Sequence, residues 1–228
     1  MERILLVFLL LPILAAQTTE VEITSEPAHH LALENDYVRV FKVEAAPHAA
    51  TLLHRHRHDY FFVMQGDADI SNEVVSKPPV ELKLADGEVR FAEGNFAHVV
   101  KNLSDKPFRN VTIELLQDEK LRQTRSRRPM EGGGQTFPGG SVKILLVRDG
   151  VRVSETGHDP GAMLPRAHHD GPRLLVAVSD LDLQGGSEDA GPTAWKLKTG
   201  DVKWVPGGDT RALTNTGPRA GRFVTLEF

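Results

Sequence analysis

Apolar and polar positions alternate along most of the chain at short range. The runs "VRVFKV" (38–43), "YFFVM" (60–64), "EVRFA" (88–92) and "RNVTIELL" (109–116) are five to eight residues long and rich in β-branched and aromatic side chains. A period of two belongs to strands, and no stretch sustains the 3.6-residue period of an amphipathic helix. Turn residues separate the runs, with "ADG" before Glu88 and "EGN" after Ala92. So many short strands in close succession predict an all-β fold, a sandwich or small barrel.

The pattern then repeats. At an offset of 113 residues, Asp36-Tyr-Val-Arg-Val40 matches Asp149-Gly-Val-Arg-Val153, Gly87-Glu-Val89 matches Gly200-Asp-Val202, and Asn102 matches Asn215. Val111-Thr-Ile-Glu-Leu115 likewise matches Val224-Thr-Leu-Glu-Phe228. A constant offset without gaps predicts a tandem duplication into two antiparallel β-domains, residues 21–117 and 141–228. Residues 118–140 between them carry Arg122, Arg125, Arg127, Arg128 and a glycine run, and read as a surface linker. A basic docking segment for a phosphate or acidic partner is the alternative.

The N-terminus departs from this pattern. Ile4 to Ala16 is an apolar run behind Arg3, ending on Ala15 and Ala16, and is shorter than the ~20 residues of a membrane span. It predicts a cleaved signal peptide over 1–16, export to a periplasmic or extracellular space, and no membrane association after cleavage, with an uncleaved anchor as the alternative. Of 228 residues 40% are hydrophobic and the net charge is −4, so nothing global draws the protein to nucleic acid. No cysteine occurs, which excludes disulfides, thiolate nucleophiles and zinc–thiolate sites. A metal would have to be held by histidine, carboxylate or water.

"LLHRHRHDYFF" (52–62) places His54, His56 and His58 at alternate positions, where an unbroken strand would point all three one way. A solvated cationic turn, given Arg55 and Arg57, is the bland reading. A separate histidine, His98, follows "GNFA". The order His54-Arg-His56, Asp59, six residues, Gly66, and then Gly87, Gly94, His98 and Asn102 with Ala92 in a proline slot, resembles the two motifs of the cupin superfamily. With the repeat, the chain resembles a bicupin, two tandem antiparallel jelly-roll barrels.

That resemblance implies a metal site in the first barrel. His54, His56 and His98 would be ligands and His58 would sit at a turn. Asp59 would stand in the usual glutamate slot, one methylene short and one residue early, as a ligand or else as a base or orienting group. Tyr60 and Phe62 would wall a substrate pocket. The ion would be divalent Fe, Mn, Ni or Zn, and imidazole ligands would release it as pH falls through about 6. His29, His30 and His48 read as structural or solvated.

At the same offset the second copy offers Ala167, His169, Pro172 and Arg211 for His54, His56, Asp59 and His98. A permanent guanidinium repels a metal, which predicts a metal-free second barrel. That barrel either supports the first by packing, or holds an anion through Arg211 with His168 or His169. The whole reads as an exported metal-binding bicupin, oxygenase-like, acting on a small organic substrate. A non-catalytic small-molecule-binding module and a purely structural cupin are the alternatives, and edge-strand pairing would give a homodimer.

Overall fold

The structure, a computed structural model, describes residues 19–117, 134–148, 150–165, 171–186, 193–208 and 212–228. The expected signal peptide, most of the expected linker, and His168, His169 and Arg211 lie outside them. Among the described residues no helix is long and apolar enough to cross a membrane.

The N-terminal half consists of β1 (Val21–Glu22), β2 (His29–Glu34), β3 (Val38–Ala45), β4 (His54–His56), β5 (Tyr60–Met64), β6 (Ala68–Val74), β7 (Val80–Leu84), β8 (Val89–Ala92), β9 (Phe96–Asn102) and β10 (Phe108–Leu115). They form two five-stranded sheets, ordered β1-β4-β9-β6-β7 and β2-β3-β10-β5-β8. The C-terminal half consists of β11 (Gln135–Phe137), β12 (Gly140–Arg148), β13 (Val151–His158), β14 (Met163–Leu164), β15 (Arg173–Ala177), β16 (Leu181–Gly186), β17 (Thr193–Leu197), β18 (Val202–Val205), β19 (Ala212–Asn215) and β20 (Gly221–Glu227). Its sheets run β11-β12-β13-β20-β15-β18 and β14-β19-β16-β17. The strand order β2-β3-β10-β5-β8 thus recurs as β12-β13-β20-β15-β18.

Alternation explains where the core sits. In β3, Phe41, Val43 and Ala45 face the interior of the N-terminal barrel with Met64, Ile70 and Phe108. Val38 and Val40 point the other way and join Phe61, Val63, Val111 and Ile113. This outer face meets its counterpart, Val151, Val153, Leu174, Val176, Val224 and Leu226, in one cluster. The outer faces of both central sheets are therefore buried against each other, and each fully buried aliphatic or aromatic side chain contributes roughly 1.5–3 kcal/mol. At the edge Lys42 Nζ reaches Asp201 Oδ1 at 2.5 Å and Arg222 reaches Asp86 at 2.6 Å.

One boundary differs from expectation. Gln135–Phe137, within the stretch read as linker, forms β11 and pairs with β12, Gln135 opposite Val142. Gly139 is in the left-handed region at φ +78°. Gly139, at the far end of the stretch read as linker, turns the chain between β11 and β12.

Candidate metal centre

Strand β4 ends at His56, and the chain bends through His58 before β5, so only the first two histidines of the run share the strand. Both point inward and are buried, His54 at 0% and His56 at 2% exposure. The antiparallel β4–β9 ladder places His98 directly opposite His54 and Phe96 opposite His56. Cross-strand partners share a face, so His98 enters the same interior, at 5% exposure.

A fourth imidazole completes the cluster. His29 on β2 lies opposite Val43, an inward residue of β3, and its side chain is only 4% exposed. Its ring centroid is 4.7 Å from that of His54 and 6.2 Å from that of His56. Ligand atoms of His29, His54 and His56 all fall within 4.8 Å of one another. The expectation that His29 is structural or solvated is corrected. His30 and His48 are exposed, as expected.

The ring nitrogens are committed in a consistent way. His54 Nδ1 donates to the Leu52 carbonyl at 2.9 Å, His98 Nδ1 to Asn72 Oδ1 at 2.7 Å and His29 Nδ1 to Glu26 Oε2 at 2.6 Å. Each ring thereby carries its proton on the outer nitrogen and presents the Nε2 lone pair inward. Outer-nitrogen bonds to carbonyls or carboxylates are the usual support of metal-bound histidines. Glu26 is itself held, its carboxylate also accepting the Ala28 and Leu52 amides. Burial works against its charge, yet the bonds from His29 and Leu52 hold it below the usual carboxylate range.

His54 Nε2 and His98 Nε2 then lie 3.0 Å apart with no proton between them. Burial depresses His54 to about 4, with the backbone bond to Leu52 only partly opposing. Burial and the neighbouring His54 and His29 depress His98 to about 3. His56 is pushed down further, by burial and then by His98 and His54. Two lone pairs facing each other at this distance repel, and a cation between them removes the repulsion. Nitrogens at right angles on a metal with bonds of about 2.1 Å are about 3.0 Å apart. The donor set fits a divalent transition metal.

Asp59 does not join the cluster. It sits on the turn before β5, and its Oδ1 accepts the Gly94 amide at 2.8 Å. Gly94 fits there because it lacks a side chain: an added Cβ would lie 2.5 Å from the His58 carbonyl carbon. Asp59 ties the two motif-bearing turns together, and that geometry replaces its expected role as fourth ligand.

A second buried carboxylate at the cluster, in addition to Glu26, is Glu114, 1% exposed, which sequence reasoning missed. Its Oε1 is 3.9 Å from His56 Nδ1, and its Oε2 is 3.5 Å from Arg39. Burial raises Glu114 to about 7 despite Arg39. The available signal was its place in "VTIEL": with Val111, Ile113 and Leu115 outward, Glu114 must face the barrel.

Tyr60 and Phe62 both line the small cavity beside the imidazoles, about 70 Å³ in volume. Tyr60 stacks on His56 with centroids 4.2 Å apart, fixing that ring plane. Burial, with Glu114 nearby, raises its hydroxyl above the ordinary phenol range.

No family model and no curated protein matches the chain. Solved structures do. Oxalate decarboxylase of Bacillus subtilis, in the work on its Mn(II) centres, aligns with a TM-score of 0.61 at 13% identity over 87% of this chain and 74% of that one. The same enzyme at pH 4.6 gives 0.61 and 14% over the same shares. Oxalate decarboxylase in the work on its substrate binding mode and reaction specificity switch gives 0.62 and 13%. At this identity the likeness is one of fold: the chain has a cupin-type, all-β jelly-roll architecture.

Proposed function

We propose that this protein is an exported bicupin whose N-terminal barrel holds one divalent transition metal on His29, His54, His56 and His98, and acts as an oxygenase-like enzyme on a small organic substrate. The single observation that carries this is the 3.0 Å approach of His54 Nε2 and His98 Nε2, each with its outer nitrogen already donating. An all-imidazole set favours iron over manganese, because carboxylate and water ligands suit manganese better. The Mn(II) centres of the structurally similar decarboxylase support a metal in a fold of this kind without fixing its identity. Bound here, the ion would supply Lewis acidity and, if iron, dioxygen activation.

The chain's own residues do the rest. Glu26, Leu52 and Asn72 orient three imidazoles, and Glu114 faces the fourth, so the donor geometry is set before anything binds. Phe62, Tyr60 and Val100 keep the cavity largely apolar, which limits water and admits only a small substrate. The tandem duplication is part of the proposal: β3 starts at Val38 and β13 at Val151, and β5 at Tyr60 and β15 at Arg173, each 113 residues apart. Export rests on the apolar N-terminal run.

Metal analysis of the purified protein and of a His54→Ala, His98→Ala variant tests the reading. One equivalent of transition metal in the wild type and none in the variant supports it, with dioxygen consumption across a panel of small organic acids as the activity readout. A wild type that takes up no stoichiometric metal on reconstitution overturns it, and a metal-loaded protein that consumes no dioxygen favours the non-catalytic binding module.

A further inference from the structure

The cavity beside the imidazoles has a polar group that the metal centre does not use. Part of its wall is β10, whose alternate residues Phe108, Asn110 and Thr112 line it. Asn110 lies opposite Val43 in the β10–β3 ladder, and Val43 lies opposite His29 in the β2–β3 ladder. The amide is therefore carried two strand spacings from the backbone of His29, roughly 9.5 Å. Asn110 is only 7% exposed, and the Thr112 hydroxyl donates to its Oδ1 at 2.8 Å. That bond sets which way the amide is turned and leaves Nδ2 donating to no acceptor among the described residues.

A buried donor without an acceptor costs stability, so one kept in a cavity wall points to an acceptor on a ligand. The fold does not require it. In the C-terminal half β20 holds the place of β10, and 113 residues on from Asn110 it carries Phe223, packed among carbon. The half of the sequence with Ala167 and Arg211 for His54 and His98 thus also lacks the asparagine. Charge and size narrow the ligand further. Among the described residues that line the cavity none is Lys, Arg, Asp or Glu, and Arg39, beside Glu114, is held by Glu34 at 2.9 and 3.0 Å. A carboxylate at Asn110 would be buried without a cation, whereas a neutral carbonyl oxygen needs only an N–H group. At the other end four neutral imidazoles leave a bound divalent ion its full double charge, which favours a carboxylate there. The volume of about 70 Å³ excludes an aromatic ring, since benzene fills a cavity of about 150 Å³.

We propose that the substrate is a short acyclic oxo acid, its carboxylate on the metal and its neutral carbonyl oxygen accepting from Asn110 Nδ2. Asn110 is then the residue that sets specificity at the far end of the substrate, and Thr112 is the positioning residue that holds the amide turned towards it. The inference rests on the metal-binding reading above and narrows it to a substrate class. Dicarboxylates are excluded by the missing cation and unsubstituted fatty acids by the donor they would leave unpaired.

Calorimetric titration of Co(II)-loaded protein with levulinate, succinate and 4-methylpentanoate tests the proposal; such sites bind Co(II) more tightly than Fe(II). Succinate replaces the levulinate methyl group by a charged oxygen, and 4-methylpentanoate replaces the ketone oxygen by a methyl group. The levulinate carbonyl is too remote from its carboxylate to close a five- or six-membered chelate, so a preference for it reports on the protein wall. The expected result is saturable levulinate binding, at least about tenfold tighter than succinate. Its preference over 4-methylpentanoate should fall at least about tenfold in Asn110→Leu, with Co(II) stoichiometry unchanged. Thr112→Val, which frees the amide to turn, should lower the same preference severalfold and decides the matter should Asn110→Leu not fold. Absence of saturable levulinate binding to loaded protein, succinate binding as tightly, or a preference untouched by these substitutions would each overturn the proposal and leave the metal reading standing. Failure of the protein to take up Co(II) would overturn both, because the carboxylate then has no anchor.

Discussion

His54 and His98, 44 residues apart in sequence, are direct ladder partners whose Nε2 atoms meet at 3.0 Å inside the barrel, each ring already donating through Nδ1. Without a cation this arrangement is an electrostatic fault, and the rest of the fold stabilises it. Replacing His98 by Leu removes one of the opposed lone pairs. We expect His98→Leu to bind metal more than about 100-fold more weakly while the metal-free protein keeps or gains stability, since buried polar groups facing each other unfavourably cost more than an apolar substitute. Thermal melts with and without chelator, beside a metal titration, check this. A large loss of stability in the metal-free variant would mark the cluster as structural.

The support of His29 can be separated from the ligand itself. Glu26 accepts three hydrogen bonds, from Ala28 N at 2.7 Å, His29 Nδ1 at 2.6 Å and Leu52 N at 3.0 Å. In Glu26→Gln only one side-chain atom still accepts, and the amide nitrogen would face a backbone N–H. Metal affinity should fall about 10–100-fold, with stability down by about 1–3 kcal/mol. Competition against a chromogenic chelator gives the first figure and urea denaturation the second.

Asp59 and Gly94 make a contrasting pair. Asp59→Ala should lose about 1 kcal/mol of stability through its bond to the Gly94 amide and leave metal stoichiometry unchanged. Gly94→Ala should cost more, about 1–3 kcal/mol, because the new methyl group meets the backbone of His58, which cannot rotate away as a side chain would. Metal loss in Asp59→Ala at full structural stability would restore Asp59 as a ligand.

Much of this architecture was legible in the chain because strand alternation is local. "VRVFKV", "YFFVM" and "RNVTIELL" became β3, β5 and β10 to within a few residues, and the end of β4 at His56 separated His58 from the cluster. What stayed hidden depended on pairing. His29 faces inward only because β2 pairs with β3 in the register that sets it opposite Val43, and nothing within "AHHLALE" fixes that register. Glu114 was readable in principle from the face of β10, but its approach to His56 comes from strands 50 or more residues apart closing the same barrel. Asp59 misled because motif spacing alone does not tell a ligand from a group bracing the turn beside it.

Acid should destabilise the metal-free protein earlier than an ordinary carboxylate-rich fold. His54 and His98 titrate at about 4 and about 3 when folded, against about 6.5 in the unfolded chain. His56 and His158 are also lowered, chiefly by burial. Between those limits the unfolded state binds more protons, so stability rises with pH; it is fully present above about 6.5 and lost as pH falls towards 4. Glu114 works in the opposite direction, since its raised value of about 7 lets the folded state hold a proton that the unfolded chain releases, but it is one group against four. Each histidine removes up to about 1.4 kcal/mol per pH unit in this window. The expected outcome is a melting temperature in chelator that falls steadily from pH 7 to pH 4.5, and a metal-loaded protein that resists the fall, because bound metal stabilises the folded state by mass action. Burial also moves metal release below the value of about 6 expected of exposed imidazoles, so loaded protein should retain its metal at pH 5.5. Release of half the metal at or above pH 6, in a buffer without competing chelator, would show that the imidazoles are solvated rather than buried.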